Sequence, residues 1–154
     1  MSTSPIIRFV TSDDYIQWLP LWNAYNEFYG RVNATALPNE ITQITWARFL
    51  DESEPMYAMV AESNGKLIGL VHYLFHRSTI LLNPNCYLQD LFVAETGRSQ
   101  GIGKTLIQAV YEQAKQAGSV RVYWHTHESN TTAMQLYDKV AKKTGFLVYS
   151  KTLV

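Results

Sequence analysis

The sequence predicts one α/β (α+β) domain over residues 1–154, and three observations carry that reading. Apolar residues change their period along the chain in the order β-α-α-β-β-β-α-β-α-β. An Asn-Gly pair separates two β-rich runs, and a later strand feeds a glycine-rich turn that opens a helix. At 154 residues the chain has the length of one ordinary domain and can bury a core unaided. A composition of 47% hydrophobic, 13% aromatic and 17% charged residues excludes disorder, collagen and coiled coil.

The elements follow in order. Residues 5–11 are apolar and β-branched and read as a strand, with Ser12-Asp13-Asp14 starting a helix. Trp18, Trp22, Tyr25 and Tyr29 then mark one helical face, closed by Gly30. Residues 31–41 are loop-like, and Thr42 to Leu50 reads as a second helix. Residues 56–63 and 67–76 flank Asn64-Gly65-Lys66 as a hairpin. Cys86 to Val93 is the next strand. Ile102, Leu106, Ile107, Val110, Ala114 and Ala117 have helical spacing, with Gly118 as their stop. Val120 to Thr126 alternates as a strand, Asn130 to Thr144 is helical up to Gly145, and Phe146 to Val154 closes with a strand. Neither repeats nor low-complexity linkers interrupt this order.

The formal net charge of zero conceals an asymmetry. Residues 1–77 carry 5 Lys+Arg against 8 Asp+Glu, whereas residues 78–154 carry 8 against 5. A nucleic-acid binder needs a basic excess, so no nucleic-acid partner is expected, and the split points to two ligands of opposite charge meeting on one domain. Cys86 is the only cysteine, which removes intramolecular disulfides and cysteine-based zinc sites; it reads as a small buried hydrophobe. His125 and His127 lie on one strand face without a third ligand, so no metal is expected. Met1 to Val10 lacks a charged segment followed by an apolar one, and no apolar run approaches the roughly 18 residues of a membrane span. The expectation is therefore a cytoplasmic protein with no membrane partner.

Chemistry concentrates in Cys86-Tyr-Leu-Gln-Asp-Leu-Phe-Val93 and the following Arg98-Ser-Gln-Gly-Ile-Gly-Lys-Thr105. Gly101 and Gly103 remove Cβ atoms, letting backbone N–H groups approach an anion where a helix N-terminus adds its dipole. Arg98 and Lys104 add charge. A triphosphate loop would need glycine where Arg98 stands, and a dinucleotide fingerprint would need it where Leu106 stands, so both are excluded.

The remaining pattern, Arg98-x-x-Gly101-x-Gly103, resembles the pyrophosphate-binding motif of the GCN5-related N-acetyltransferases. The Asn64-Gly65 hairpin, the Tyr87 to Val93 strand and Asn130 followed by Tyr137 extend the resemblance over most of the chain. Tyr87-Leu-Gln-Asp-Leu-Phe-Val93, Tyr123-Trp-His-Thr-His-Glu-Ser-Asn130 and Leu136-Tyr-Asp-Lys139 are similar to the yeast histone and polyamine branch, which includes D-amino-acid acetyltransferases. The resemblance implies a central mixed, mostly antiparallel sheet, splayed at the acetyl-CoA site and flanked by helices. It implies acetyl-CoA as cosubstrate, with Leu91, Phe92 and Val93 along the pantetheine arm. Arg98, Ser99, Gln100, Gly101, Ile102, Gly103, Lys104 and Thr105 would cradle the pyrophosphate, and Asn130 would also contact the cosubstrate. Tyr137 would sit near the sulfur as general acid, although its apolar neighbours also suit a core tyrosine. The acetyl group would pass directly to a primary amine of a small molecule, an amino acid or polyamine, or of a basic peptide. A non-catalytic acyl-CoA sensor and a protein or histone lysine acetyltransferase are the alternatives, and pairing of terminal strands between subunits would make a homodimer.

The amine must lose a proton. An alkyl ammonium has a pKa of about 10.4, so freeing it at pH 7 costs roughly 3 units, or about 4–5 kcal/mol. The resembling polyamine enzymes place Glu where this chain has Gln89, and Gln cannot accept a proton. Asp90, His76 and Glu128 are the replacements, with strand alternation setting Asp90 opposite Gln89 unless a bulge re-aims it. An α-amine with a pKa near ~8 lowers the demand to about 1 unit, so α-amines are expected to be preferred over polyamines. On the acceptor side, Trp22, Tyr25 and Tyr29 would line the substrate mouth, with Gln89 and Glu128 at its edge. Trp18 and Trp22 are expected to be buried, and Tyr25 or Tyr29 to reach the rim.

Overall fold

In the computed structural model, which describes residues 4–154, two apolar faces of one sheet organise the chain. Met1–Thr3, the start of the stretch read above for a leader, lie outside the described residues. The elements are β1 (Ile6–Phe9), α1 (Tyr15–Phe28), α2 (Asn39–Leu50), β2 (Met56–Ser63), β3 (Lys66–His76), β4 (Asn85–Val93), α3 (Ile102–Gln116), β5 (Val122–Tyr123) and α4 (Thr131–Val140). Strands β1 to β4 pair antiparallel in chain order, and β5 joins β4 in parallel. The sheet is thus mixed and mostly antiparallel, as expected. Asn64 and Gly65 both adopt positive φ, +51° and +78°, which gives the β2–β3 turn a twist matching its strands.

One sheet face is covered by α1 and α2. Trp18, Leu21, Trp22 and Tyr25 of α1 and Trp46 of α2 pack on Val60, Leu67 and Leu70. The other face is covered by α3, whose Ile102, Leu106, Ile107, Val110 and Ala114 pack on Met59, Ala61, Val71, Cys86 and Leu88. Cys86 is buried, and burial pushes its thiol up to about 12, so it is inert as the sequence implied. Among the described residues no helix is long and apolar enough to cross a membrane.

Four elements depart most from the sequence reading. Helix α2 starts at Asn39 rather than Thr42, because Pro38 takes the cap position and its carbonyl accepts the N–H of Ile41 and Thr42. Strand β5 is two residues long, because it leaves β4 after Tyr123. Helix α4 ends at Val140, whose carbonyl accepts the Tyr111 hydroxyl of α3 at 2.8 Å while Ala141 turns extended. Residues 146–154 form no strand. A strand needs a hydrogen-bonding neighbour, and this segment finds none within the described chain; Phe146, Leu147, Val148, Tyr149 and Leu153 face solvent instead.

Arg8 ties the N-terminal strand to the rest of this framework. Its guanidinium meets both carboxylate oxygens of the buried Asp14, at 2.8 and 2.9 Å, and its Nε meets Glu62 at 2.7 Å. These bonds hold the Asp14 carboxyl below the usual carboxylate range. A depressed folded pKa stabilises above the unfolded value near ~3.9 and is lost as the pH falls through the folded one. Arg8→Met is therefore expected to destabilise the fold by about 1–3 kcal/mol at pH 7, and by less at pH 2, in urea titrations at the two pH values.

Candidate active site

Strand β4 is paired on one edge and only begins to be paired on the other. Cys86 and Tyr87 lie beside Val122 and Tyr123 of β5, and from Leu88 onward that edge is open. The Ala94 N–H bonds to the Ile68 carbonyl of β3 at 2.8 Å. Antiparallel alternation then turns Phe92 and Asp90 toward β3, leaving the backbone groups of Leu91 and Val93 on the open edge. Exposed strand edges of this kind accept an extended ligand by main-chain hydrogen bonds.

The open edge ends at the glycine-rich turn. Ser99 and Gly101 take positive φ, +66° and +75°, and Gly101 caps α3. The first turn of α3, which includes Ile102, Gly103 and Lys104, presents N–H groups that have no intrahelical acceptor. A Cβ on Gly103 would meet Leu136 of α4 at 3.3 Å, so glycine permits α3 and α4 to close on the end of β4. The Arg98 Nε donates to the Val93 carbonyl at 3.2 Å, with its guanidinium over the Phe92 ring. Thr105 Oγ1 donates to the Gly101 carbonyl, and the Gln100 amide donates to the Thr96 carbonyl. The turn is thus held from its own backbone, with the free N–H groups of the first turn of α3 close in sequence to Arg98 and Lys104, an arrangement suited to a pyrophosphate.

A second site lies on the α1–α2 face. His72 pairs with Asp90 and Tyr73 with Leu88, which makes Gln89 the extra residue of a bulge in β4. The bulge reverses the alternation. Cys86 and Leu88 before it, and Leu91 and Val93 after it, all pack toward α3. Asp90 is re-aimed to the α1–α2 side, where it and Gln89 line one cleft of about 310 Å³ with Trp22, Asn26, Arg31 and Phe49. This corrects the expectation from simple alternation that Asp90 would face away from Gln89.

Asp90 is held from behind by a buried relay that the sequence did not single out. The Trp18 Nε1–H points at His72 Nε2 at 3.0 Å, and His72 Nδ1 lies 2.9 Å from Asp90 Oδ2. Because indole nitrogen only donates, Nε2 must be the acceptor, and the imidazole proton sits on Nδ1, directed at the carboxylate. His72 stands inside an apolar strand run, and a histidine buried in such a run needs polar partners; that was the available clue. Tyr25 packs against the same carboxylate, and burial together with the Asp90 charge pushes its hydroxyl pKa up.

The other expected residues separate into two groups. Trp18, Trp22 and Tyr25 are buried and Tyr29 is exposed; of the three aromatic residues expected at the mouth, Trp22 lines the cleft. Tyr137 of α4 packs edge-on against Trp124 beyond β5, and its pKa is raised by burial and by the nearby Tyr29. Asn130 caps α4. His76 and Glu128 are not brought to the cleft. His76 ends β3 with Nε2 at 2.6 Å from the Tyr123 hydroxyl, and Glu128 is exposed in the loop after β5. Among the described residues no group of three or more His, Cys, Asp or Glu is placed to hold a metal ion.

Comparison with known proteins gives the family and the fold. The acetyltransferase (GNAT) family matches residues 18–141. The chain is 34% identical over 148 residues to the D-amino-acid N-acetyltransferase HPA3 of Saccharomyces cerevisiae, covering 95% of this chain and 89% of that protein. It is 29% identical over 145 residues to the uncharacterized N-acetyltransferase YhfO of Bacillus subtilis, covering 93% and 94%. Among solved structures, the aminoglycoside N-acetyltransferase AAC(6')-Iy in complex with CoA superimposes with a TM-score of 0.82 at 18% identity, covering 100% of this chain and 97% of that one. The last likeness is one of fold.

Proposed function

The chain belongs to the acetyltransferase (GNAT) family and is an acetyl-CoA-dependent N-acetyltransferase, and from that premise we propose that its acceptor is the α-amine of an amino acid, deprotonated by Asp90. The observation that carries this reading is the bulge at Gln89, which turns the Asp90 carboxylate into the cleft. The ammonium proton passes to Asp90, directly or through water, while His72 Nδ1–H fixes the carboxylate. The amine nitrogen then bonds to the thioester carbonyl carbon as the C–S bond breaks, the Tyr137 hydroxyl supplies a proton to the departing sulfur, and the nitrogen gives up its second proton, through water, to restore the tyrosine. Its raised pKa keeps that hydroxyl protonated at neutral pH. Backbone groups of Leu91 and Val93 receive the pantetheine arm, and Arg98 to Thr105 receive the pyrophosphate.

The D-amino-acid specificity in the name of the yeast relative supports an α-amine acceptor. Thiol release from acetyl-CoA across D- and L-amino acids, polyamines and histone-tail peptides tests the proposal. Amino acids are expected to turn over fastest, and turnover confined to lysine side chains of peptides would overturn it.

The same proposal covers the setting of the enzyme: one domain over residues 1–154, in a reducing cytoplasm that suits its lone buried thiol, acting as a homodimer. The support for the dimer is the exposed apolar segment 146–154, which has no strand partner among the described residues and is suited to a sheet edge of a second copy. Sedimentation equilibrium is expected to give twice the chain mass, and Phe146→Asp with Val148→Asp to give a monomer. A monomeric wild-type protein would contradict this arrangement.

A further inference from the structure

Arg31 faces the same cleft as Asp90, and no acidic group among the described residues pairs with it. It is half-buried just beyond α1, in a stretch the sequence marks only as loop. Its Nε donates to Asn26 Oδ1 at 2.6 Å, and Asn26 is itself fixed because its Nδ2 donates to the Trp22 carbonyl at 2.9 Å. The rings of Tyr25 and Tyr29 lie 5.8 and 5.5 Å from the guanidinium carbon. The side chain is therefore braced from several directions. Among the described residues, however, its Nη groups have no hydrogen-bond acceptor, and no carboxylate lies within ion-pair distance.

An arginine braced through Nε presents its Nη groups for a planar oxyanion, which carboxylate matches with two parallel hydrogen bonds. The cleft holds the opposite charge as well, because Asp90 lines it without pairing to Arg31. Leu37, Ile41, Met56 and Leu74 supply an apolar wall. We propose that Arg31 is the carboxylate-binding residue of the acceptor site, which makes the substrate a free, zwitterionic α-amino acid with an apolar side chain. Its ammonium is directed to Asp90, its carboxylate to Arg31 and its side chain to the apolar wall. This inference rests on the reading that an α-amine sits beside Asp90, and it adds the requirement for an unblocked carboxylate.

The test compares D- and L-phenylalanine with phenylalaninamide and phenethylamine by thiol release. The wild-type enzyme is expected to prefer the better phenylalanine enantiomer over its amide by about tenfold or more in kcat/KM, the effect of one charge-assisted contact of about 1.5–3 kcal/mol. The amide has the more easily deprotonated amine, so this preference cannot arise from amine basicity. Arg31→Gln is expected to bring the ratio of acid to amide near unity, chiefly through KM, and Arg31→Lys to retain part of it. A wild-type ratio near unity, or a fall in R31Q that is equal for acid and amide, would overturn the role of Arg31 while leaving α-amine acetylation intact. Absence of thiol release with every amine would overturn the proposed acceptor class instead. Arg31 is then judged by calorimetric binding of phenylalanine to the CoA-loaded protein. Binding lost in R31Q and partly kept in R31K supports it, and equal binding or none to the wild type refutes it.

Discussion

Asp90→Asn is expected to lower kcat/KM for amine acceptors by about 10²–10⁴-fold, the range removed with a general base. The substitution preserves shape and leaves an oxygen to accept the His72 Nδ1–H, so the buried relay through Trp18 can persist. What disappears is the group that takes the ammonium proton. Asp90 lies on the α1–α2 face, whereas the glycine-rich turn lies beyond the end of β4, so the Kd for acetyl-CoA is expected to change little. Steady-state kinetics beside a calorimetric Kd separate the two effects. A D90N enzyme within a few-fold of wild type would transfer the role of base to another group or to solvent.

Tyr137→Phe is expected to lower kcat by about 10²-fold or more, again with acetyl-CoA affinity nearly intact. In the proposed mechanism the hydroxyl acts on the departing sulfur, whose charge develops only as the C–S bond breaks, so the loss belongs in kcat rather than in ground-state binding. Burial and the neighbouring Tyr29 push its pKa above the ordinary tyrosine value. The acid form therefore persists to higher pH, and the fall in kcat that reports its ionisation should lie above about pH 10 in the wild type and vanish in Y137F. Unchanged turnover in Y137F would return Tyr137 to the core role suggested by its packing against Trp124.

Much of this architecture is written locally. The Asn64-Gly65 turn needs only two residues that tolerate positive φ, and the apolar stripe of α3 is visible in its spacing. The glycine-rich turn is equally local, because its glycines, Arg98 and the helix start lie within a few residues of one another. The acceptor site depends on relations between distant residues. Alternation along β4 places Asp90 on the wrong face, and only its register against His72 and Tyr73 reveals the bulge. His72 acquires meaning through Trp18, 54 residues away, and through Asp90, 18 residues away. Arg31 looks like loop charge until α1 and α2 fold it over the cleft. Residues 146–154 carry a strand pattern, but among the described residues they pair with no sheet edge, and pairing is a long-range relation that a local pattern does not carry.

The preference for an α-amine is tested most directly by competition. Equimolar phenylalanine and spermidine share limiting acetyl-CoA at pH 7, and the two N-acetyl products are quantified by mass spectrometry, so that their ratio gives the ratio of kcat/KM. The Asp90 cleft is expected to yield acetylphenylalanine in excess. An excess of acetylspermidine would contradict an acceptor site built for an α-amine.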